Sequence, residues 1–268
     1  MKKILIINPN SSQQMTDDIR HTVSYAQSDR VSIDVVRMEK SPFVLECFSD
    51  YTMAGAQVIS YLNGLKGQSP FPYDGVLLAC MGDPCLYGVK EACPVPLVGI
   101  AEAGITMATL CGAKFSILAS SAKAKPMMES MVQQYGMNDR MASVETFDLP
   151  IEDFMKDRDL LCRKVKETAD SASAKGAEVL LLGCAGMTMI SDVLDGLTDI
   201  PAIDPIKAGV ESLLAMLRGG FKISRAGLYA GAPQNGTITS YRSVQKTGEG
   251  RSPALSCAVL RKEVPSNE

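Results

Sequence analysis

The chain has 268 residues, 46% hydrophobic and 21% charged, which is enough for one large or two smaller globular domains and needs no disulfide or metal staple. Its 27 Lys and Arg against 30 Asp and Glu leave a net charge of −3, which argues against a nucleic-acid partner and a polybasic membrane patch. One histidine, His21, excludes any site that needs several imidazoles, and none of the eight cysteines shows the CxxC spacing of a zinc site, so no cofactor or metal is expected.

The amino terminus reads MKKILIINPNSS, with an apolar run only from Ile4 to Ile7. A secretory core needs roughly 7–15 apolar residues, and no later stretch nears the roughly 18 that cross a bilayer. A cytoplasmic protein with free thiols and no membrane partner is therefore expected. Short β-branched runs follow at Lys3–Ile7, Val31–Arg37, Gly75–Ala79 and Leu97–Ile100. Four more lie at Lys114–Leu118, Ser143–Phe147, Glu178–Leu182 and Pro201–Ile203, with amphipathic helical patterns between them. Near-continuous apolar strands alternating with helices predict an α/β protein whose parallel sheets are covered on both faces. A helix is expected over Val210–Leu217, and irregular chain from about Phe221, where GAPQNGTITS and KTGEGRSP carry loop chemistry.

The eight strands form two matching sets of four. KILIINPNSS at Lys3 resembles KFSILASSAK at Lys114, an offset of 114 − 3 = 111. VSIDVVRME at Val31 pairs with ASVETFDLP at Ala142, again 111. DGVLLACMGDP sets Cys80 against Cys184 in AEVLLLGCAGM, an offset of 104, and PLVGIAEAG at Pro96 matches PAIDPIKAG at Pro201, an offset of 105. The repeat predicts two pseudo-two-fold-related open lobes of four strands each: residues 1–101 plus 206–268, and residues 102–205. Ligands of such sheets bind beyond the carboxyl ends of the strands. Cys80 and Cys184 both end the third strand of their unit, so symmetry places the two thiols on opposite walls of one cleft.

A thiol pair suits proton removal next to a carbonyl on one face and proton return on the other. The thiolate is the base, and helix N-termini or cations lower its pKa. Asp83-Pro84 after Cys80 has the chemistry of a helix start, and Ala185-Gly186 after Cys184 allows close approach of backbone amides. Both thiols are thus expected to be acidified. The amides of Met81, Gly82, Ala185 and Gly186 are candidate donors to the oxygen on which carbanion charge collects. Asn10 is a candidate for binding a substrate carbonyl or amide, or for turn chemistry after Pro9. Ser11 is either a ligand or the start of an S-x-x-Q cap with Gln14. Ser120 and Ser121 hold the symmetric position. Glu102 fits a helix-dipole partner, while Phe43, Tyr51 and Met53 are candidate pocket walls.

Together INPNSS at Ile7–Ser12, LLACMGDP at Leu77–Pro84, PLVGIAEA at Pro96–Ala103 and LLGCAGM at Leu181–Met187 resemble the aspartate/glutamate racemase superfamily, and within it the hydantoin and allantoin racemase branch. The resemblance covers about residues 3–217. It implies two α/β lobes, no cofactor, homo-oligomers, and racemisation of a small cyclic ureide by Cys80 and Cys184. Ser120-Ser121 stand where relatives usually carry a Thr pair, and Cys85 and Cys93 where small or apolar residues are expected. Small, apolar surroundings without a neighbouring His favour a neutral ring over an amino acid. Maleate isomerisation, amino-acid racemisation and a non-enzymatic two-lobed binding protein are the alternatives.

Overall fold

A computed structural model describes residues 1–147, 158–187, 190, 194 and 196–231 of the chain. The expected irregular tail therefore lies largely outside the described residues. Among the described residues eight strands form two four-stranded sheets with the same parallel order, β2-β1-β3-β4 and β6-β5-β7-β8. The first sheet holds β1 (Lys2–Asn8), β2 (Val31–Arg37), β3 (Gly75–Leu78) and β4 (Leu97–Gly99). The second holds β5 (Phe115–Ala119), β6 (Met141–Thr146), β7 (Val179–Leu182) and β8 (Ala202–Ile203). Each strand lies within two residues of the run expected for it.

The central strands are apolar throughout because both faces are covered. Ile4 and Ile6 point into one cluster of the first sheet, Leu5 and Ile7 into another. One face packs on α1 (Gln13–Thr22) and α7 (Pro205–Gly219), the other on α2 (Phe48–Lys66) and α3 (Leu86–Ala92). In the second sheet Ile117 and Leu181 pack with α4 (Ile100–Cys111) and α5 (Ala124–Gln134). Leu118, Leu180 and Leu182 pack with α6 (Arg158–Ala174). Each fully buried Leu or Ile contributes about 1.5–3 kcal/mol relative to exposure.

The two sheets exchange helices. After β4 the chain enters α4, whose Gly104 lies so close to β7 that a Cβ would come within 2.8 Å of Leu181. After β8 it enters α7, where a Cβ on Gly209 would come within 2.7 Å of Leu77 on β3. Gly104 and Gly209, like Leu77 and Leu181, are equivalent positions of the repeat. Pairing registers obey the same offsets: Ile6 faces Leu77 as Ile117 faces Leu181, and Val76 faces Leu97 as Leu180 faces Ala202.

Two sequence expectations need correction. The second strands are not offset by 111. Leu5 faces Asp34 and its equivalent Ser116 faces Ser143, so the structural offset is 143 − 34 = 109, after a register shift between Phe115 and Ser116. Also α7 begins five residues earlier than Val210. Asp204 Oδ1 accepts the backbone N–H groups of Ile206 (2.8 Å) and Lys207 (3.2 Å), and Pro205 occupies the first turn.

Candidate active site

Cys80 and Cys184 follow directly on the carboxyl ends of β3 and β7, and the backbone around each is built alike. Ala79 N–H donates to the Ile7 carbonyl at 2.9 Å, and Gly183 N–H to the Leu118 carbonyl at 2.9 Å, which extends each ladder to the residue before the cysteine. Both cysteine carbonyls then accept from the residue three positions on, Asp83 (2.9 Å) and Met187 (3.1 Å), and turn the chain away from the sheet. The same turns aim the backbone N–H two residues on at the sulfur: Gly186 reaches Cys184 Sγ at 3.4 Å, and Gly82 hydrogen-bonds to the Cys80 thiol.

The thiols are brought together: a charge on Cys184 acts directly on Cys80. Their electrostatics correct the sequence expectation. Burial pushes the Cys80 thiol up to about 12, with charge on Cys184 and Asp83 adding to the rise and only the Gly82 N–H opposing it. Burial also pushes Cys184 up, opposed by the Gly186 N–H. Desolvation of the thiolate outweighs one amide dipole on each side. No cation among the described residues acts on either thiol.

Met81 and Ala185, the residues after the cysteines, are each buried in the core of the other sheet: Met81 in the cluster around Ile117 and Leu181, Ala185 in the cluster around Ile4 and Leu77. Gly82 carries no side chain because the ring of Tyr51, from α2, occupies that space; a Cβ would come within 2.2 Å of it. The Tyr51 hydroxyl is raised well above its ordinary pKa, first by burial and then by charge on Cys80, Cys184 and Asp83, which places it with both thiols. Of the three suggested wall residues, Phe43 and Met53 are exposed.

The serine and asparagine candidates lie beyond β1 and β5, the strands beside β3 and β7. Asn10 is buried, and its amide is held by turn contacts: Oδ1 accepts from Ser12 N–H (2.9 Å) and Asn8 Nδ2 (2.8 Å), while Nδ2 faces Met15 Sδ at 3.0 Å. Ser11 does not cap α1; Ser12 does, with Oγ accepting Met15 N–H at 3.2 Å. The Ser11 backbone is pinned by the Pro42 carbonyl and by Arg37, while its hydroxyl and that of Ser120 have no hydrogen bond among the described residues. Ser121 Oγ accepts weakly from Ala124 N–H at the start of α5 (3.4 Å). Asn8 was missed by sequence reasoning. Fully buried, it donates to Asn10, Thr16 and the Ser12 carbonyl, and so holds the loop that carries the other candidates.

Asp83 does not cap α3, as Asp-Pro suggested. Its carboxylate crosses to α4 and accepts the N–H groups of Ala101 (3.1 Å) and Glu102 (2.9 Å). Tyr135, at the end of α5, donates its hydroxyl to the same group at 2.6 Å. Glu102 completes that helix start by accepting Gly99 N–H at 2.9 Å and pairing with Lys90 at 2.7 Å.

A family model described as Asp/Glu/hydantoin racemase matches residues 4–213. The chain is 32% identical over 231 residues to a hydantoin racemase of Paenarthrobacter aurescens, covering 85% of this chain and 96% of that one. It is also 32% identical over 228 residues to a hydantoin racemase of Pseudomonas sp. (strain NS671), covering 85% and 90%. Among solved structures it is similar to an allantoin racemase from Klebsiella pneumoniae, with a TM-score of 0.80, 27% identity, and coverage of 91% and 98%.

Proposed function

The chain belongs to the Asp/Glu/hydantoin racemase family, and from that premise we propose that it is a cofactor-independent racemase of 5-substituted hydantoin rings, allantoin included, in which Cys80 and Cys184 move the proton. The observation that carries this reading is the pair of thiols at equivalent ends of β3 and β7, placed so that charge on Cys184 raises Cys80.

In the proposed reaction the ring lies between the sulfurs. One thiolate removes the C5 proton, the C4 carbonyl takes up the negative charge as an enolate, and the opposite thiol delivers a proton to the other face. The first sulfur leaves as thiol and the second as thiolate, so the reverse reaction begins with roles exchanged. Two properties of the pair suit this. A thiolate of raised pKa is a stronger base toward a carbon acid. Charge on one thiol also resists ionisation of the other, so the pair keeps one proton. The ring-holding groups in this reading are Asn10, Ser11, Ser120 and Ser121, with the amides of Met81 and Ala185 as oxyanion donors, while the N–H groups of Gly82 and Gly186 are directed at the sulfurs and stabilise the thiolates instead.

Polarimetry with single enantiomers of allantoin and of several 5-substituted hydantoins tests the substrate class. Loss of optical rotation with enzyme, faster than without it, is the expected result. No acceleration with any ring would exclude the substrate class.

A further inference from the structure

The turn that carries Cys80 is anchored in an unusual way. Two of its non-glycine residues, Asp83 (φ 40°) and Cys85 (φ 54°), lie in the left-handed region on either side of Pro84. Local preference disfavours non-glycine residues in this conformation, so something else must hold it. Packing does so only in part: a cavity of about 290 Å³ borders the turn, lined by Phe48, Tyr51, Gly82, Asp83, Met131 and Tyr135 among others. Backbone bonds close the turn on itself, Asp83 N–H to the Cys80 carbonyl (2.9 Å) and Leu86 N–H to the Asp83 carbonyl (3.1 Å), and its tie to the second sheet's helices is the Asp83 carboxylate. It is 6% exposed and binds two N–H groups of α4 and the Tyr135 hydroxyl. Gly99 leaves room for it, since a Cβ there would come within 2.3 Å of Asp83 Oδ1. Tyr135 is itself packed between the core of the second sheet and that of α2 and α3.

We propose that the Tyr135–Asp83 hydrogen bond positions Cys80, tying the turn after β3 to the end of α5 so that the thiol meets one face of the substrate. Both are positioning residues, since they act through the turn and not on the reacting atoms. The proposal rests on the two-thiol reading above. Cys184, on its own turn after β7, has no such tie to Asp83 or Tyr135 among the described contacts. Loosening the tie therefore harms proton transfer at one face only.

The experiment uses the full chain in D2O with each enantiomer of a hydantoin that the wild type racemises, following deuterium at C5 and inversion separately. Overall kcat/KM stays equal for the two directions because the equilibrium constant is one, so the asymmetry lies in exchange without inversion. Cys80→Ser first identifies the enantiomer whose carbanion is still made by Cys184 and returned to the same face. Tyr135→Phe is expected to show a partial form of that asymmetry: inversion slowed at least roughly tenfold, the lower end of what a hydrogen bond to a charged group is worth. Exchange without inversion should rise for the same enantiomer. Asp83→Asn should act in the same direction, and Tyr73→Phe, on a side chain bonded to Asp34, should change neither quantity. An unchanged Tyr135→Phe enzyme, or one slowed with no excess exchange for either enantiomer, would overturn the positioning role. A wild type that racemises no ring, or a Cys80→Ser variant without asymmetry, would instead overturn the two-thiol reading.

Discussion

Gly82 lies against the ring of Tyr51, with no room for a methyl group between them. Tyr51 is one helix away in sequence, yet it meets the turn of Cys80 and feels the charge of both thiols. Gly82→Ala should therefore displace either the ring or the turn. Overpacking of this kind costs about 1–3 kcal/mol, and we expect turnover to fall at least about tenfold as the thiol moves. Gly64→Ala, in the exposed part of α2 with nothing near its Cβ, should stabilise by about 0.5–1 kcal/mol and leave turnover unchanged. Thermal melts and racemisation assays of the two variants check both directions.

The raised thiols set a pH dependence. With Cys80 at about 12 and Cys184 also raised, little thiolate exists near neutrality. Rate should rise with pH through the range 7 to 9, approaching tenfold per unit for one required thiolate. Stability should move the other way. Above the ordinary thiol pKa the unfolded chain has lost protons that the native thiols keep, so the thiols' contribution to stability is full below about pH 8.5 and declines as pH rises toward 12. Urea unfolding between pH 8 and 11 tests this; Cys80→Ala should flatten the decline.

The exchange of helices between sheets depends on the start of α7. Asp204→Ala removes the carboxylate that receives Ile206 and Lys207 N–H, and should cost about 1–2 kcal/mol in denaturant unfolding. Asp204→Asn, which keeps an acceptor, should cost less. Gly209→Val, forced against Leu77 and Ile100, should cost about 1–3 kcal/mol or more.

Much of this arrangement was legible in the chain. Buried parallel strands are apolar on both faces, so their limits stood out, and the repeat offsets of 111 and 104 returned as pairing registers. The equivalence of Cys80 and Cys184 followed from the same alignment. The offset of β6 did not, because strand similarity is blind to the register shift at Phe115. Asp83 was legible as a cap but not for which helix, since Asp-Pro reports local turn chemistry while α4 is brought near by β4. Acidified thiols were inferred from neighbouring amides; burial, which opposes them, comes from tertiary packing, Cys184 lying against the cluster of Leu118, Phe147 and Leu182. Tyr135 left no signal, as a tyrosine ending an amphipathic helix reads as packing until its hydroxyl partner is known.

Deuterium exchange in D2O with single enantiomers of a hydantoin or allantoin, for wild type, Cys80→Ser and Cys184→Ser, tests the two-thiol racemase most directly. The wild type should racemise the ring with deuteration at C5, and both variants should lose racemisation. Residual exchange is expected from opposite enantiomers in the two variants. Racemisation retained by either variant, or residual exchange from the same enantiomer in both, would contradict the two-thiol mechanism.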